Sequence, residues 1–205
     1  MIRPPWDGVA FSERSDGDLR NELARRAAAS AIGLVPEWAE GQQVHGNHVV
    51  RVGSPGSSGE ADALWTSEPG LPVAVFTADC LGVVLTAPGA VGVAHAGWRG
   101  AAGDVVGRLR DAMTTAGHPP QRAAIGPGIG PCCFEVGPEV AERFPPHAAL
   151  TTWGATSVDL PAVVIERLGG LETWSTGACT MHEDGWFSHR SDATRQRLAA
   201  IGWVP

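Results

Sequence analysis

The chain has 205 residues and a formal net charge of −7, so it is long enough for one domain with a sizeable core and carries no general basic field for nucleic acid. All 15 basic residues are arginine, and tyrosine is absent. The lack of lysine excludes a Schiff-base lysine and a Walker-type phosphate loop, so any chemistry must come from His, Cys, Asp, Glu, Ser, Thr, Arg or a metal.

The first half of the chain predicts a short strand, a helix and then sheet. The stretch "DLRNELARRAAASAIGL" has Leu19, Leu23, Ala27 and Ala28 at helical spacing and predicts a helix over residues 18–32. "HVVRV" predicts a strand, and "GSPGSSGEA", rich in Gly, Ser and Pro, predicts a loop. Three short apolar runs bounded by turn residues predict buried strands at residues 72–77, 81–86 and 90–95.

The second half alternates between helical and extended patterns. "WRGAAGDVVGRLRDAMTTAG" predicts one helix that begins near Trp98 and stops at Gly117. "RAAIGPGIGPCCFEV" predicts a strand, a glycine-rich turn and a second short strand. "PEVAERF" and "LPAVVIERLGG" predict short helices, and "ETWSTGACT" and "LAAIGWV" predict the last strands. Without a repeat or a linker, the pattern predicts a single α/β domain over residues 1–205 with a mixed sheet.

The start of the chain and its cysteines predict a cytoplasmic protein. We find no apolar signal segment at the start and no membrane-length run of about 18 apolar residues. The four cysteines are Cys80, Cys132, Cys133 and Cys179, and the adjacent pair is poorly placed to form a bridge. We therefore expect reduced thiols, with the last three outside the zinc shell considered below.

Polar side chains that could form a site stand at or beside the ends of apolar strands. Each of His45, Cys80 and His95 could, taken alone, be a structural residue. Together, two imidazoles and a thiol make a three-ligand zinc shell with its fourth position open, in the region where α/β folds place their sites. Asp79, beside Cys80, is then expected to be an outer partner of the metal or a proton carrier.

Two further segments suggest ligand contacts but leave alternatives open. "HAGWRG" leads into the predicted helix, whose unpaired first amides and Arg99 could hold a phosphate or a carboxylate; the alternative is a solvated Arg99. "AIGPGIGPCCFEV" lacks the lysine of a phosphate loop and is more simply interpreted as a rigid turn. Glu135, just after the cysteine pair, would be a general acid or base if it points at the metal.

Several motifs in order along the chain resemble one known family. "QVHG", "ADALWT", "TADCLGVVL", "GVAHAGWRG", "AIGPGIGPCCFEVG" and "CTMHEDGWFSHR" are similar to the bacterial YfiH-like family over roughly residues 43–190. That family carries the label multicopper polyphenol oxidoreductase, or laccase, and has been assigned to purine nucleoside phosphorylase with adenosine deaminase activity. Two segments depart from its pattern: "FSERSDGDLRNE" is compressed, and "SHRSDATRQR" lacks the family's glycines.

The resemblance implies a fold, a metal and a set of substrate contacts. The fold is a single-domain, four-layer α/β/β/α sandwich with mixed sheets. The metal is zinc on His45, Cys80 and His95, with copper as the alternative that the family label names. Together with Arg99 and Glu135, singled out above from their positions, Gln43 and Arg190 complete the expected substrate-binding residues.

The function hypotheses come from different classes. The first is a zinc-dependent enzyme that cleaves adenosine, inosine or methylthioadenosine with phosphate and hydrolyses the 6-amino group of adenosine. Its partners would be a nucleoside and phosphate, without nucleic acid or membrane; the sequence leaves the oligomeric state open. A four-copper laccase needs about ten His ligands, and the chain has 7 with no His-x-His pair, which excludes that mechanism within one subunit.

Two alternatives remain beside the zinc enzyme. In a Cys-His hydrolase, Cys80 is the nucleophile and His95 its base, as in an amidase acting on cytoplasmic cell-wall precursors. Cys-His deamidase toxins have been compared with the family's fold. The metal content of the protein distinguishes the Cys-His hydrolase from the zinc enzyme. A non-enzymatic interaction domain is disfavoured by the clustering of polar groups in an apolar frame.

Overall fold

The computed structural model describes residues 1–205, which form thirteen strands and six α-helices. In chain order these are β1 (Val9–Phe11), α1 (Glu22–Ala31), β2 (Ala39–Gln42), β3 (Val49–Arg51), β4 (Gly56–Glu60), β5 (Ala63–Thr66), β6 (Val73–Thr77), β7 (Leu81–Ala87), β8 (Ala90–Ala96), α2 (Trp98–Ala102), α3 (Val105–Thr115), β9 (Arg122–Ile125), α4 (Pro138–Ala141), β10 (Ala148–Leu150), β11 (Thr156–Val158), α5 (Leu160–Arg167), β12 (Glu172–Ser175), α6 (His189–Asp192) and β13 (Leu198–Gly202).

Two mixed sheets form the centre of the structure. The five-stranded sheet has the order β1-β13-β6-β2-β4, antiparallel from β1 to β6 and parallel from β6 to β4. The six-stranded sheet has the order β12-β9-β7-β8-β5-β3, with parallel pairs at its two edges and antiparallel pairs between them. A separate two-stranded sheet joins β10 and β11.

The alternation of side chains along each strand divides the core into three apolar layers. In β6, Val73 and Val75 pack between the two sheets, whereas Ala74 and Phe76 face α1. On the other side, alternate residues of β7 and β8 pack against α2, α3 and α5. The layers therefore run helix, sheet, sheet, helices, which confirms the α/β/β/α sandwich implied by the family resemblance. The one mixed sheet predicted from the residue pattern is two mixed sheets in the structure.

The structure departs from the sequence predictions at three places. The helix expected from Trp98 to Gly117 is two helices, because Asp104 adopts a left-handed φ of 59° and caps α3 through Gly107 N–H. The "GSPGSSGEA" segment predicted as a loop contains β4, an edge strand paired with β2. "CCFEV" is a turn rather than a strand, because the amides of Cys133 and Phe134 both donate to the carbonyl of Gly130 (3.0 Å each).

The remaining predicted elements are confirmed with small shifts at their ends. The three apolar runs are β6, β7 and β8. Helix α1 begins at Glu22 rather than at residue 18, because the side chain of Asn21 accepts from the amides of Leu23 and Ala24. Leu23, placed on the apolar face by its spacing, is 78% exposed.

A glycine permits a close approach of the two sheets. A Cβ at Gly82 of β7 would lie 2.5 Å from Cβ of Ala200 in β13, well inside van der Waals contact. We expect Gly82→Ala to lower the free energy of unfolding by about 1–3 kcal/mol, because the sheets must separate. Gly53→Ala is the matched control, since Gly53 is exposed with open space around it, and it should stay within about 0.5 kcal/mol of the parent. Urea denaturation measures both, and equal stability of the two variants would contradict the tight contact.

Candidate active site

Three predicted ligand residues converge from separate parts of the fold. His45 lies in the loop after β2, Cys80 in the turn between β6 and β7, and His95 in β8. Their ligand atoms all lie within 4.8 Å of one another. His95 is buried, Cys80 half-buried and His45 exposed, and the two imidazole rings meet edge to face with centroids 4.8 Å apart. The strand ends thus place a thiol between two imidazoles at the border of the core.

A buried carboxylate that the sequence reasoning missed holds both histidines in place. Asp62, fully buried just before β5, accepts hydrogen bonds from the backbone amides of Val44 (3.1 Å), His45 (3.0 Å) and Gly46 (2.7 Å). Its Oδ1 also accepts from Nδ1 of His95 at 2.7 Å. The loop around His45 therefore curves around this carboxylate, and His45 itself adopts a left-handed φ of 61°. The signal was available in "ADALWT", where an acid directly precedes an apolar strand.

The hydrogen bonds of the cluster shift its proton affinities. Burial would raise the pKa of Cys80, but hydrogen bonds with His45 and His95 outweigh it and lower that pKa to about 6. Burial would likewise lower the pKa of His95, yet its bonds to Asp62 and Cys80 raise it to about 9. The pKa of Asp62 falls despite burial, because His95 and the loop amides bond to the carboxylate. In the metal-free protein the cluster is thus a thiolate beside an imidazolium.

The donor set fits a zinc ion. Bonds of about 2.3 Å to sulfur and about 2.0–2.1 Å to nitrogen separate tetrahedral ligand atoms by about 3.3–3.5 Å, a spacing that small side-chain rotations reach from the one observed. Because Nδ1 of His95 donates to Asp62, its Nε2 is the nitrogen left for a metal. Gly97 keeps space beside the thiol, since a Cβ there would lie 2.8 Å from Sγ of Cys80. Two His and one Cys are also the main ligands of a blue-copper centre.

The cluster opens into a cavity of about 620 Å³, a volume within the usual range for small-molecule sites. Cationic side chains in its lining include Arg20, Arg190 and Arg197. Arg20 is paired with Asp18, whereas the guanidinium groups of Arg190 and Arg197 donate to backbone carbonyls and form no salt bridge. The lining also contains apolar and acidic side chains, namely Phe76, Ile129, Phe134, Glu40 and Asp79.

Three further predicted residues line this cavity. The amide of Gln43 is held by Phe76, whose backbone N–H donates to Oε1 (2.7 Å) and whose carbonyl accepts from Nε2 (2.8 Å). The carboxylate of Asp79 accepts from the hydroxyl of Thr180 (2.8 Å) and from the backbone amide of Arg190 (2.7 Å). Asp79 therefore ties the C-terminal segment, and with it Arg190, to the turn that carries Cys80.

The other two predicted substrate contacts lie outside the cavity. Arg99 is exposed, and its guanidinium lies 4.3 Å from the ring centroid of Trp98. Helix α2 has only five residues, so the expected helix-start phosphate site has little helix behind it. Glu135 is exposed as well, and its carboxylate accepts from Nε1 of Trp153 at 2.8 Å. The sequence reasoning did not find Arg20 and Arg197, which the fold brings to the cavity from distant segments.

Fold and site together define a two-sheet α/β sandwich with a His₂Cys cluster at the border of a cationic cavity. Residues 2–205 match the family model described as "Multi-copper polyphenol oxidoreductase laccase". The chain therefore belongs to that family, which confirms the resemblance to YfiH-like proteins.

Curated relatives carry a different name from that of the family model. "Purine nucleoside phosphorylase" of Deinococcus radiodurans is 37% identical over 213 residues, covering 97% of this chain and 83% of the relative. "Purine nucleoside phosphorylase YfiH" of Escherichia coli is 34% identical, with 98% and 88% covered. The crystal structure of YlmD from Geobacillus stearothermophilus superposes with a TM-score of 0.87 at 29% identity, covering 99% of this chain and 94% of that one. No helix of the present chain has both the length and the apolar character needed to cross a membrane.

The role of Asp62 can be tested apart from catalysis. In Asp62→Asn one carboxylate oxygen is replaced by an NH₂ group, which cannot accept the N–H bonds that Asp62 receives. We therefore expect the free energy of unfolding to fall by about 1–3 kcal/mol. Zinc affinity should fall by about 10–100-fold, because His95 loses its carboxylate partner. Competition with a chromophoric chelator measures the affinity. Asp184→Asn is the control at an exposed carboxylate without a hydrogen-bond partner, and the same zinc affinity in both variants would exclude the positioning role.

The low pKa of Cys80 predicts an unusual pH profile of alkylation in the metal-free protein. The thiolate forms as pH rises through about 6, so the rate of reaction with iodoacetamide at Cys80 should level off near neutral pH. The alkylation rate of an ordinary thiol, with a pKa of about 8.5, continues to rise with pH beyond neutrality. His45→Ala removes one hydrogen bond and should move the Cys80 profile upward. Peptide mass spectrometry over a pH series measures the rate, and a midpoint near 8.5 in the parent protein would contradict the thiolate assignment.

Proposed function

We propose that this protein is a zinc-dependent purine nucleoside enzyme. It cleaves adenosine, inosine or methylthioadenosine with phosphate, and it hydrolyses the 6-amino group of adenosine. The observation that carries this proposal is the convergence of His45, Cys80 and His95 at a cavity that also presents arginines without acidic partners. The relatives named purine nucleoside phosphorylase, at 37% and 34% identity, support it. A cytoplasmic location is proposed with it, since none of the four cysteines is paired.

His45, Cys80 and His95 would hold the zinc. When bound, zinc supplies a Lewis acid that lowers the pKa of a water molecule and polarises a substrate atom. Cys80 is suited to the role of ligand because its thiolate already forms near pH 6. Asp62 keeps the proton of His95 on Nδ1 and fixes the direction of the ring.

The cavity arginines are suited to bind phosphate. Arg190 and Arg197 offer charge-assisted hydrogen bonds to an anion, and their guanidinium groups contact backbone carbonyls rather than carboxylates. In phosphorolysis a phosphate oxygen forms a bond to C1′ of the ribose while the bond from C1′ to the purine nitrogen breaks. The electron pair of that bond leaves with the purine, which takes up a proton. Apolar faces of Phe76 and Phe134 in the same cavity suit a purine ring.

Hydrolytic deamination adds water at C6 of adenosine and releases ammonia, which leaves inosine. Proton transfer in this step is assigned to Asp79, the lining carboxylate next to Cys80. Glu40 is the other carboxylate of the lining, and it is paired with Arg25 at 2.8 Å. Glu135, the other proton carrier considered from the sequence, is held away from the cavity by Trp153.

One observation favours a second candidate function, a cysteine hydrolase. Without metal, Cys80, His95 and Asp62 form a thiolate, an imidazolium and a buried carboxylate in hydrogen-bonded sequence. In such an enzyme Sγ of Cys80 attacks an amide carbonyl, and His95 gives its proton to the departing amine. The substrate class would be the amides of cytoplasmic cell-wall precursors. The metal content of active protein decides between the two candidates.

A combined metal and product analysis tests the zinc enzyme. The purified chain should contain one zinc, and liquid chromatography should show adenine and ribose-1-phosphate from adenosine with phosphate, and inosine without it. Cys80→Ala should lose the metal and both activities, because one of three ligands is missing. Full zinc occupancy in Cys80→Ala would refute the ligand assignment. Cleavage of a muropeptide amide by metal-free protein, without adenosine turnover, would establish the cysteine hydrolase.

The phosphate site can be located by comparing three arginines. Arg190→Ala should weaken phosphorolysis about tenfold or more, equivalent to roughly 1.5–3 kcal/mol for a charge-assisted contact, and affect deamination less. Arg99→Ala tests the helix-start site expected from the sequence, and it should change phosphorolysis little because Arg99 lies outside the cavity. Exposed Arg143 provides the control substitution to Ala. If phosphorolysis is weakened in Arg99→Ala but not in Arg190→Ala, the phosphate site lies at the start of α2 instead.

A further inference from the structure

A second cluster of soft ligands lies outside the cavity. It consists of the thiols of Cys132, Cys133 and Cys179, whose sulfur atoms all lie within 4.8 Å of one another. Sγ of Cys132 and Sγ of Cys133 are 3.4 Å apart, and all three cysteines are free. Cys133 and Cys179 are buried, whereas Cys132 is half-buried and gives access from the surface. None of the three takes part in the proposed nucleoside chemistry.

The fold brings these sulfurs together from two distant segments. The parallel pairing of β9 with β12 continues beyond both strands, where Gly128 forms a bridge with Cys179 and accepts from the amide of Thr180 at 3.0 Å. Two residues later the carbonyl of Gly130 accepts from the amide of Cys133 and closes a tight turn. That turn directs the cysteine pair back toward Cys179. The cluster is thus fixed by backbone hydrogen bonds at the carboxyl ends of two parallel strands.

Backbone amides also point at one of the sulfurs. The N–H of Gly130 donates to Sγ of Cys179 at 3.2 Å. Burial raises the pKa of the other two thiols, Cys132 and Cys133, so the support for the site comes from the placement of the three sulfurs and from this amide contact. Amide hydrogen bonds to sulfur are a recurring feature of thiolates that hold metals, where they tune the site.

We propose that Cys132, Cys133 and Cys179 form a second metal site that takes one soft, thiophilic cation of the Cu(I) class. A metal–sulfur bond of about 2.3 Å places three ligand sulfurs about 4 Å apart around the ion, close to the observed spacing. The cluster contains no imidazole or carboxylate, and a donor set of thiolates alone selects soft cations. Each thiol that binds the cation releases its proton to solvent.

The site differs in kind from the His45, Cys80 and His95 cluster. That cluster opens into the cavity and mixes nitrogen with sulfur, whereas the second cluster has only sulfur ligands and two of its three members are buried. A cation here would join the turn at residues 130–133 to the segment after β12. The next residue in that segment, Thr180, donates to Asp79 of the cavity at 2.8 Å. The second site therefore lies directly behind one wall of the first.

Anaerobic titration of the zinc-loaded full chain with Cu(I), in competition with a chromophoric Cu(I) chelator, tests the proposal. The parent protein should take up one Cu(I) and show ultraviolet thiolate-to-copper charge-transfer absorption. Cys179→Ser should weaken the uptake by more than about 100-fold, since a lost ligand exceeds the cost of a lost outer contact. Cys132→Ser, at the half-buried position, should weaken it as well while disturbing the core least. Far-ultraviolet circular dichroism verifies that both variants are folded.

Two further measurements keep the test independent of those variants. In Cu(I)-loaded parent protein, alkylation mapped by peptide mass spectrometry should find Cys132, Cys133 and Cys179 protected. In Cys80→Ala the Cu(I) uptake at the second cluster should persist, which separates it from zinc binding at the first. Absence of Cu(I) uptake by the parent would overturn the proposal. So would uptake that disappears in Cys80→Ala but stays unchanged in both serine variants.

Discussion

The candidate site depends on one buried ionic hydrogen-bond network, centred on Asp62. A carboxylate removed from water loses its hydration and is tolerated in a core only when its oxygens are satisfied. Asp62 meets that requirement with three backbone amides of the loop around His45 and with the ring N–H of His95. One side chain therefore fixes a loop and a strand relative to each other. Both histidines take their positions from it, and Cys80 takes its low pKa from both histidines.

The packing of the two sheets decides where this network can form. Gly82 lies opposite His95 in the register of β7 and β8 and lets Ala200 of the other sheet approach closely. His95 also lines the cavity, together with residues 78–80 of the turn after β6 and with residues of the C-terminal segment. Asp79 connects the turn before β7 to the C-terminal segment, because its carboxylate accepts from the hydroxyl of Thr180 and from the amide of Arg190. The register of β7 and β8 thus places the close contact between the sheets directly beside a residue of the site.

The sequence revealed what depends on local pattern and missed what depends on tertiary placement. The runs that became β6, β7 and β8 were visible because buried strands are short and apolar between turn residues. His45, Cys80 and His95 stood out as polar residues at strand ends. Asp62 did not, because its four partners are assembled only by folding. The glycine- and serine-rich strand β4 was hidden as well, since its pairing with β2 overrides weak intrinsic propensity.

The two sulfur clusters show how the surroundings of a thiol decide its chemistry. Imidazoles beside Cys80 donate hydrogen bonds, lower its pKa to about 6 and leave one side open to the cavity. An open position is what a catalytic metal needs, and the same thiolate without metal is a nucleophile. Sγ of Cys179 instead accepts from the backbone amide of Gly130, and its cluster contains no imidazole. Such surroundings suit a thiolate that binds a cation without reacting. The two clusters therefore differ in the group that donates to the sulfur, an imidazole ring at Cys80 and a peptide N–H at Cys179.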